Sequence, residues 1–166
     1  MNQNPIRILV HGASGRMGHA VLRLAADDAR IVVVSAVSRS GQTLGVVGLP
    51  AARLGDAPAF DVAIDFSLPE AFDALLALCL SRGAALVSGT TGLTTEQRVR
   101  LDQAALSIPV LWASNFSLGV AVLEDLVRRA SEALPAWQVR IQETHHVHKK
   151  DAPSGTALTQ IGRAHV

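Results

Sequence analysis

A chain of 166 residues that is 49% hydrophobic and 17% charged can bury a core, which excludes a disordered tail. Its formal net charge of +1 argues against a nucleic-acid partner, and no apolar run approaches the ~20 residues of a membrane-crossing helix. With one cysteine, Cys79, in an apolar helix-like run, and a polar start at Met1-Asn2-Gln3-Asn4-Pro5, the reading is a soluble, cytoplasmic protein with neither disulfides nor a signal peptide.

Ile6-Arg7-Ile8-Leu9-Val10 reads as a strand that breaks at His11-Gly12, and helix-compatible residues resume at Arg16. Between them runs G-A-S-G-R-M-G, with glycines at 12, 15 and 18 where backbone can approach a pyrophosphate at the start of a helix. A tight turn without a ligand would use the same glycines, but placement at the first strand-helix junction favours a dinucleotide. The second strand is Ile31–Val37, and the ribose-reading position should lie at its end, about twenty residues past the loop. Ser38-Arg39 stands there. Without a carboxylate there is no repulsion toward a 2′-phosphate, and the guanidinium can pair with one; the bland alternative is an exposed loop with no reading role.

Residues 40 to 60, rich in Gly, Pro and Ala, read as loop with one short helix. Val62-Ala63-Ile64-Asp65-Phe66 is a third buried strand, and Pro69 opens a helix that runs to about Arg82 and stops at Gly83. Ala85–Ser88 is a fourth strand, ending in Gly89-Thr90-Thr91-Gly92, whose small hydroxylated residues at a carboxyl end leave room for a nicotinamide. Thr94–Ala105 is an amphipathic helix. Val110–Ala113 is another strand, closed by Ser114-Asn115-Phe116-Ser117. The following helix, Leu118–Leu134, carries apolar positions 120, 123, 126, 127 and 130 and a solvated face of Glu124, Asp125, Arg128 and Arg129. Pro135 ends it, and Trp137–Thr144 alternates like a strand that delivers the chain to His145.

From Glu143 to Thr156 the sequence is E-T-H-H-V-H-K-K-D-A-P-S-G-T, gathering three of the six histidines with Lys149 and Lys150. Histidine passes protons near neutral pH, and a neighbouring ammonium stabilises negative charge. Asp151 could orient a cation, and Ser154-Gly155-Thr156 offers N–H groups and hydroxyls to a carboxylate at an apparent helix start. A solvated basic loop is the plain alternative. A metal site through His145, His146 and His148 is the weaker one, since no H-E-x-x-H or paired-cysteine pattern accompanies them and the lysines would repel a cation; no metal is expected.

The run E-T-H-H-V-H-K-K-D-A-P-S-G-T-A resembles the signature of the 4-hydroxy-tetrahydrodipicolinate reductases, enzymes of the diaminopimelate route to lysine. G-x-x-G-R-M-G, G-T-T-G and S-N-F-S match the family's other motifs in the same order. The resemblance implies NAD(P)H-dependent reduction of 4-hydroxy-tetrahydrodipicolinate, a small dicarboxylate, to tetrahydrodipicolinate with loss of water, in a cytoplasmic homotetramer. It implies His145 as proton donor or acceptor and Lys149 as second donor, with His146, Gly155 and Thr156 holding substrate carboxylates. Cofactor contacts would come from Gly12, Ala13, Ser14, Gly15, Arg16, Met17, Ser38, Arg39, Gly89, Thr90, Thr91, Ala113, Ser114, Asn115 and Phe116. Well-known members of the family have an acidic residue where Ser38 stands, so NADPH is expected to be preferred, with NADH as the second cofactor.

The expected architecture is α/β: a Rossmann-like doubly wound parallel sheet over residues 1–116, then the incomplete start of an α+β substrate domain over 117–160. One helix and one strand cannot enclose a substrate, and family members continue for roughly a hundred residues more. Ile161-Gly162-Arg163-Ala164-His165-Val166 is the translation of ATCGGAAGAGCACACGTC, part of a common sequencing adapter, so the natural sequence is expected to depart near Gln160 and the chain as written to be inactive as a reductase. Two other readings stay open: a different nicotinamide-dependent dehydrogenase, against which the histidine run discriminates, and a nucleotide-binding module without catalysis.

Overall fold

The computed structural model describes residues 4–39, 51–145, 147 and 153–164. The chain divides into two compact units, Met1–Trp112 and Ala113–Val166.

The first unit alternates strand and helix: β1 (Ile6–His11), α1 (Arg16–Ala26), β2 (Ile31–Val37), β3 (Ala51–Ala52), β4 (Val62–Asp65), α2 (Pro69–Arg82), β5 (Ala85–Ser88), α3 (Thr95–Ala104) and β6 (Val110–Trp112). All five strand pairs are parallel, in the order β3-β2-β1-β4-β5-β6, the arrangement of a doubly wound dinucleotide fold. The β3 strand lies in the stretch read from sequence as loop, and a single 3-10 turn, Leu54–Asp56, follows it. Parallel strands must be covered on both faces, and the side chains sort accordingly. Ile8 and Val10 pack with Leu22 and Ala25 of α1 on one face. Leu9, Ala63 and Leu86 pack with Phe72, Leu75 and Leu76 of α2 and Leu101 of α3 on the other. Phe72, Leu75 and Leu86 are almost wholly buried, each worth roughly 1.5–3 kcal/mol of apolar burial.

Local chemistry sets the helix limits. Pro69 occupies the first turn of α2 and Gly83 ends it in the left-handed region. At α3, the Thr94 hydroxyl accepts from the Gln97 N–H while the Gln97 side chain accepts from the Thr94 N–H, a reciprocal cap. Cys79 is fully buried, and burial pushes its thiol up to about 12, so it is core and no nucleophile.

In the second unit α4 (Leu118–Ala133) packs against α5 (Gly155–Ala164). The charged face of α4 is laced by Arg128 to Asp125 and Glu132 and by Arg129 to Asp125, at 2.7–2.8 Å. Residues 137 to 144 form no strand, contrary to their alternating pattern: no described segment pairs with them, and alternation without a hydrogen-bonding neighbour does not make a strand. Residues 161 to 164 continue α5. No described helix is long and apolar enough to cross a membrane.

Candidate functional site

The carboxyl ends of β1, β2 and β4 open onto a cleft of about 710 Å³ in the first unit. Gly12, Ser14 and Gly15 form one wall, Val37, Ser38 and Arg39 a second, and Phe66 to Leu68 with Glu70 and Ala71 a third; Arg53 and Leu54 close it. This is where ligands bind in open parallel sheets. Another cleft of about 700 Å³ lies at the strands' opposite ends, where Arg7 and Asp61 satisfy each other at 2.6 Å.

The glycine loop has the shape a nucleotide requires. Gly12 sits at φ +75°, and a Cβ there would run into the Phe66 carbonyl. A Cβ on Gly18 would strike the Gly12 carbonyl, so the helix can begin directly under the loop only with glycine at both positions. Gly15 caps α1 without a side-chain hydrogen bond, and the first turn of α1 has no acidic residue, which leaves its N–H groups to an anion. The residues present therefore fit a dinucleotide.

A buried polar network ties this loop to its neighbours. Asp65, fully buried at the end of β4, accepts from His11 Nδ1 (3.0 Å) and the Ser67 N–H (3.1 Å) on one oxygen, and from the Ser88 and Thr90 hydroxyls (both 2.8 Å) on the other. Burial alone would push the Asp65 carboxyl up, but the hydrogen bonds of His11, Ser67 and Thr90 outweigh it and hold the carboxyl below its ordinary range. One carboxylate thus fastens together the ends of β1, β4 and β5.

The sequence-predicted cofactor residues divide three ways. Gly12, Ser14, Gly15, Ser38 and Arg39 line the cleft together. Arg16 and Met17 are exposed on the first turn of α1, while Ala13 is buried in the core. Thr90 is buried as well, its hydroxyl committed to Asp65 and its carbonyl to the Trp112 indole N–H at 3.0 Å, so its side chain supports the loop from beneath; Thr91 is exposed and Gly89 packs on the Phe66 ring. Ala113, Ser114, Asn115 and Phe116 begin the second unit. There Asn115 Nδ2 donates to the Thr156 hydroxyl at 3.0 Å, and Asn115 Oδ1 accepts the Ser117 N–H at 2.8 Å.

Within that unit the motif is organised by Glu143, which the sequence reading quoted but gave no role. Its carboxylate accepts from the Ser154 hydroxyl and N–H and from His145 Nε2 at 2.7 Å, and these bonds, that of the Ser154 side chain first, hold its carboxyl at about 2. The Ser154 hydroxyl in turn caps α5 by accepting from the Ala157 N–H. Gly155 fits against Ser114, where a Cβ would come within 3.0 Å of the Ser114 Cβ. His146 and Lys149 lie outside the described residues, as do His148, Lys150 and Asp151. Among the described residues no group of histidine, cysteine and carboxylate ligands could hold a metal.

Missed altogether were His11, Asp65, Phe66 and Arg53. The signal for the first two was a histidine directly before the first glycine and an acid ending an apolar strand, an uncommon place for a charge without a partner.

Comparison with known proteins agrees along the whole chain. The family pattern described as "Dihydrodipicolinate reductase, N-terminus" matches residues 6–116, and "Dihydrodipicolinate reductase, C-terminus" matches residues 119–165. The 4-hydroxy-tetrahydrodipicolinate reductase of Stenotrophomonas maltophilia strain R551-3 is 62% identical over 164 residues, covering 96% of this chain and 69% of that protein. The one of Xanthomonas campestris pv. campestris strain B100 is 63% identical over 168 residues, covering 99% and 70%. A solved dihydrodipicolinate reductase from Paenisporosarcina sp. TG-14, described as dipicolinate bound, superposes with a TM-score of 0.66 at 26% identity, over 96% of this chain and 65% of that one. On both family patterns and these identities, the chain belongs to the dihydrodipicolinate reductase family, nicotinamide-dependent oxidoreductases of lysine and diaminopimelate biosynthesis.

Proposed function

We propose that this polypeptide carries the cofactor and proton-transfer groups of a reductase that converts 4-hydroxy-tetrahydrodipicolinate to tetrahydrodipicolinate with NADPH in the cytoplasm, as a homo-oligomer. The observation that carries the reading is the Gly12–Gly15 loop facing Ser38 and Arg39 across one cleft, above an uncapped helix start. When bound there, the nicotinamide supplies the hydride. The protein's share is to hold the nucleotide, orient the substrate and provide the proton.

Each share has a candidate. Ser38 and Arg39 leave the ribose site without a carboxylate and with a guanidinium, which suits a 2′-phosphate and supports NADPH over NADH. His145 is held by an ionised Glu143, which fixes the orientation of the ring, as a proton donor needs. Lys149 is the second donor, and His146, Gly155 and Thr156 receive the carboxylates of the substrate; the N-terminus of α5 adds its N–H groups to the last two. The dipicolinate of the Paenisporosarcina relative is a dicarboxylate of the same class.

Fluorescence titration of the chain with NADPH, with and without pyridine-2,6-dicarboxylate, tests this. Saturable nucleotide binding together with dicarboxylate binding supports the reductase reading, whereas nucleotide binding alone supports a module without catalysis.

A further inference from the structure

We propose that His11 is a nucleotide-binding residue: Asp65 holds its Nδ1, and Nε2 is offered to a phosphate oxygen of the cofactor's pyrophosphate at the amino end of α1. This rests on the nucleotide reading above.

His11 is the last residue of β1 and directly precedes Gly12. Its side chain is only 8% exposed, yet it lines the cleft with Ser14 and Gly15. Nδ1 is taken by Asp65 at 3.0 Å, whereas Nε2 has no partner among the described residues. A polar atom that borders a ligand cleft with no protein partner is open to a ligand's hydrogen bond. Asp65 also fixes the tautomer. Its carboxylate accepts from three other donors and cannot itself donate, so the proton on Nδ1 points at Asp65. With an anion in the cleft, Nδ1–H serves Asp65 and an Nε2–H serves the phosphate oxygen, so one ring bridges the carboxylate and the ligand. The N–H groups of α1 converge on the same place, and Glu70, the one acidic residue among those lining the cleft, sits on the first turn of α2 instead.

The test exploits the two nitrogens separately. In His11→Asn the amide nitrogen can replace Nδ1 toward Asp65 but leaves nothing where Nε2 stood; in His11→Gln the amide reaches the Nε2 position and the bond to Asp65 is lost. Titrate the 166-residue chain and both variants with NADPH and with adenosine 2′-monophosphate, which lacks the pyrophosphate, and record thermal unfolding. The expected result is that affinity and stability run in opposite orders. His11→Asn melts closer to wild type but binds NADPH about tenfold or more weakly, with adenosine 2′-monophosphate unaffected, while His11→Gln is the less stable and the tighter binder of NADPH. The inference is overturned if NADPH affinity follows stability, if both ligands weaken alike, or if His11→Asn binds NADPH as wild type does. In those cases nucleotide binding by the wild type leaves the reductase reading standing; a wild type that binds no NADPH overturns both.

Discussion

Glu143 Oε2 accepts a 2.7 Å hydrogen bond from His145 Nε2, so the candidate proton donor is held by a carboxylate two residues before it in the chain. The same carboxylate takes the N–H and hydroxyl of Ser154, eleven positions later, and so anchors the start of α5 to the beginning of the motif. Its carboxyl falls from an ordinary 4.5 to about 2. A depressed folded-state value means that the pairing stabilises the folded chain fully above about pH 4.5 and loses its effect as pH falls toward 2. Glu143→Gln should therefore melt below wild type at pH 6 to 7, with the difference shrinking as pH drops through that window. Thermal unfolding followed by circular dichroism across pH checks this; a constant difference would mean that the carboxylate charge is irrelevant to the anchor.

In the cleft of the first unit, Arg39 is exposed beside Ser38 and forms no ion pair among the described residues. Arg39→Ala should weaken NADPH by a few-fold to tens of fold and NADH little, since a charge-assisted hydrogen bond is worth roughly 1.5–3 kcal/mol before desolvation losses. Equal losses for the two cofactors would show that Arg39 does not read the 2′-phosphate.

Gly12 is fixed by two independent demands, a φ of +75° and contact with the Phe66 carbonyl. Gly12→Ala should cost roughly 1–3 kcal/mol in backbone strain alone, with more from the clash, and should abolish saturable NADPH binding. Calorimetry with a parallel titration measures both. Unchanged binding would show that the loop does not carry the nucleotide.

The doubly wound sheet was legible because its signals are local. Apolar runs ended by Gly12, by Ser67-Leu68-Pro69 and by Gly89 give strands, and the Gly83 stop and Thr94 cap give helix limits, all within a residue or two of where they stand. The run from Glu143 to Thr156 was legible as a family signature for the same reason, being contiguous. What could not be read is what depends on contacts between distant positions. Asp65 looked like one more position of a buried strand, because three of its four donors, His11, Ser88 and Thr90, come from two other segments of the chain. Thr90 looked like an open hydroxyl for the same reason. Trp137–Thr144 failed in the opposite sense: its alternation is local, but a strand needs a partner that no described segment provides.

In the proposed reduction with NADPH, the Glu143–His145 pair supplies a proton. This role is tested most directly by tetrahydrodipicolinate formation from 4-hydroxy-tetrahydrodipicolinate and NADPH, measured on the chain extended to the length of its relatives, as wild type and as His145→Gln. Substrate-dependent NADPH oxidation is expected, with a kcat that falls roughly 10²–10⁴-fold in His145→Gln while NADPH affinity stays unchanged. No turnover by the extended wild type, or wild-type turnover by His145→Gln, would contradict it.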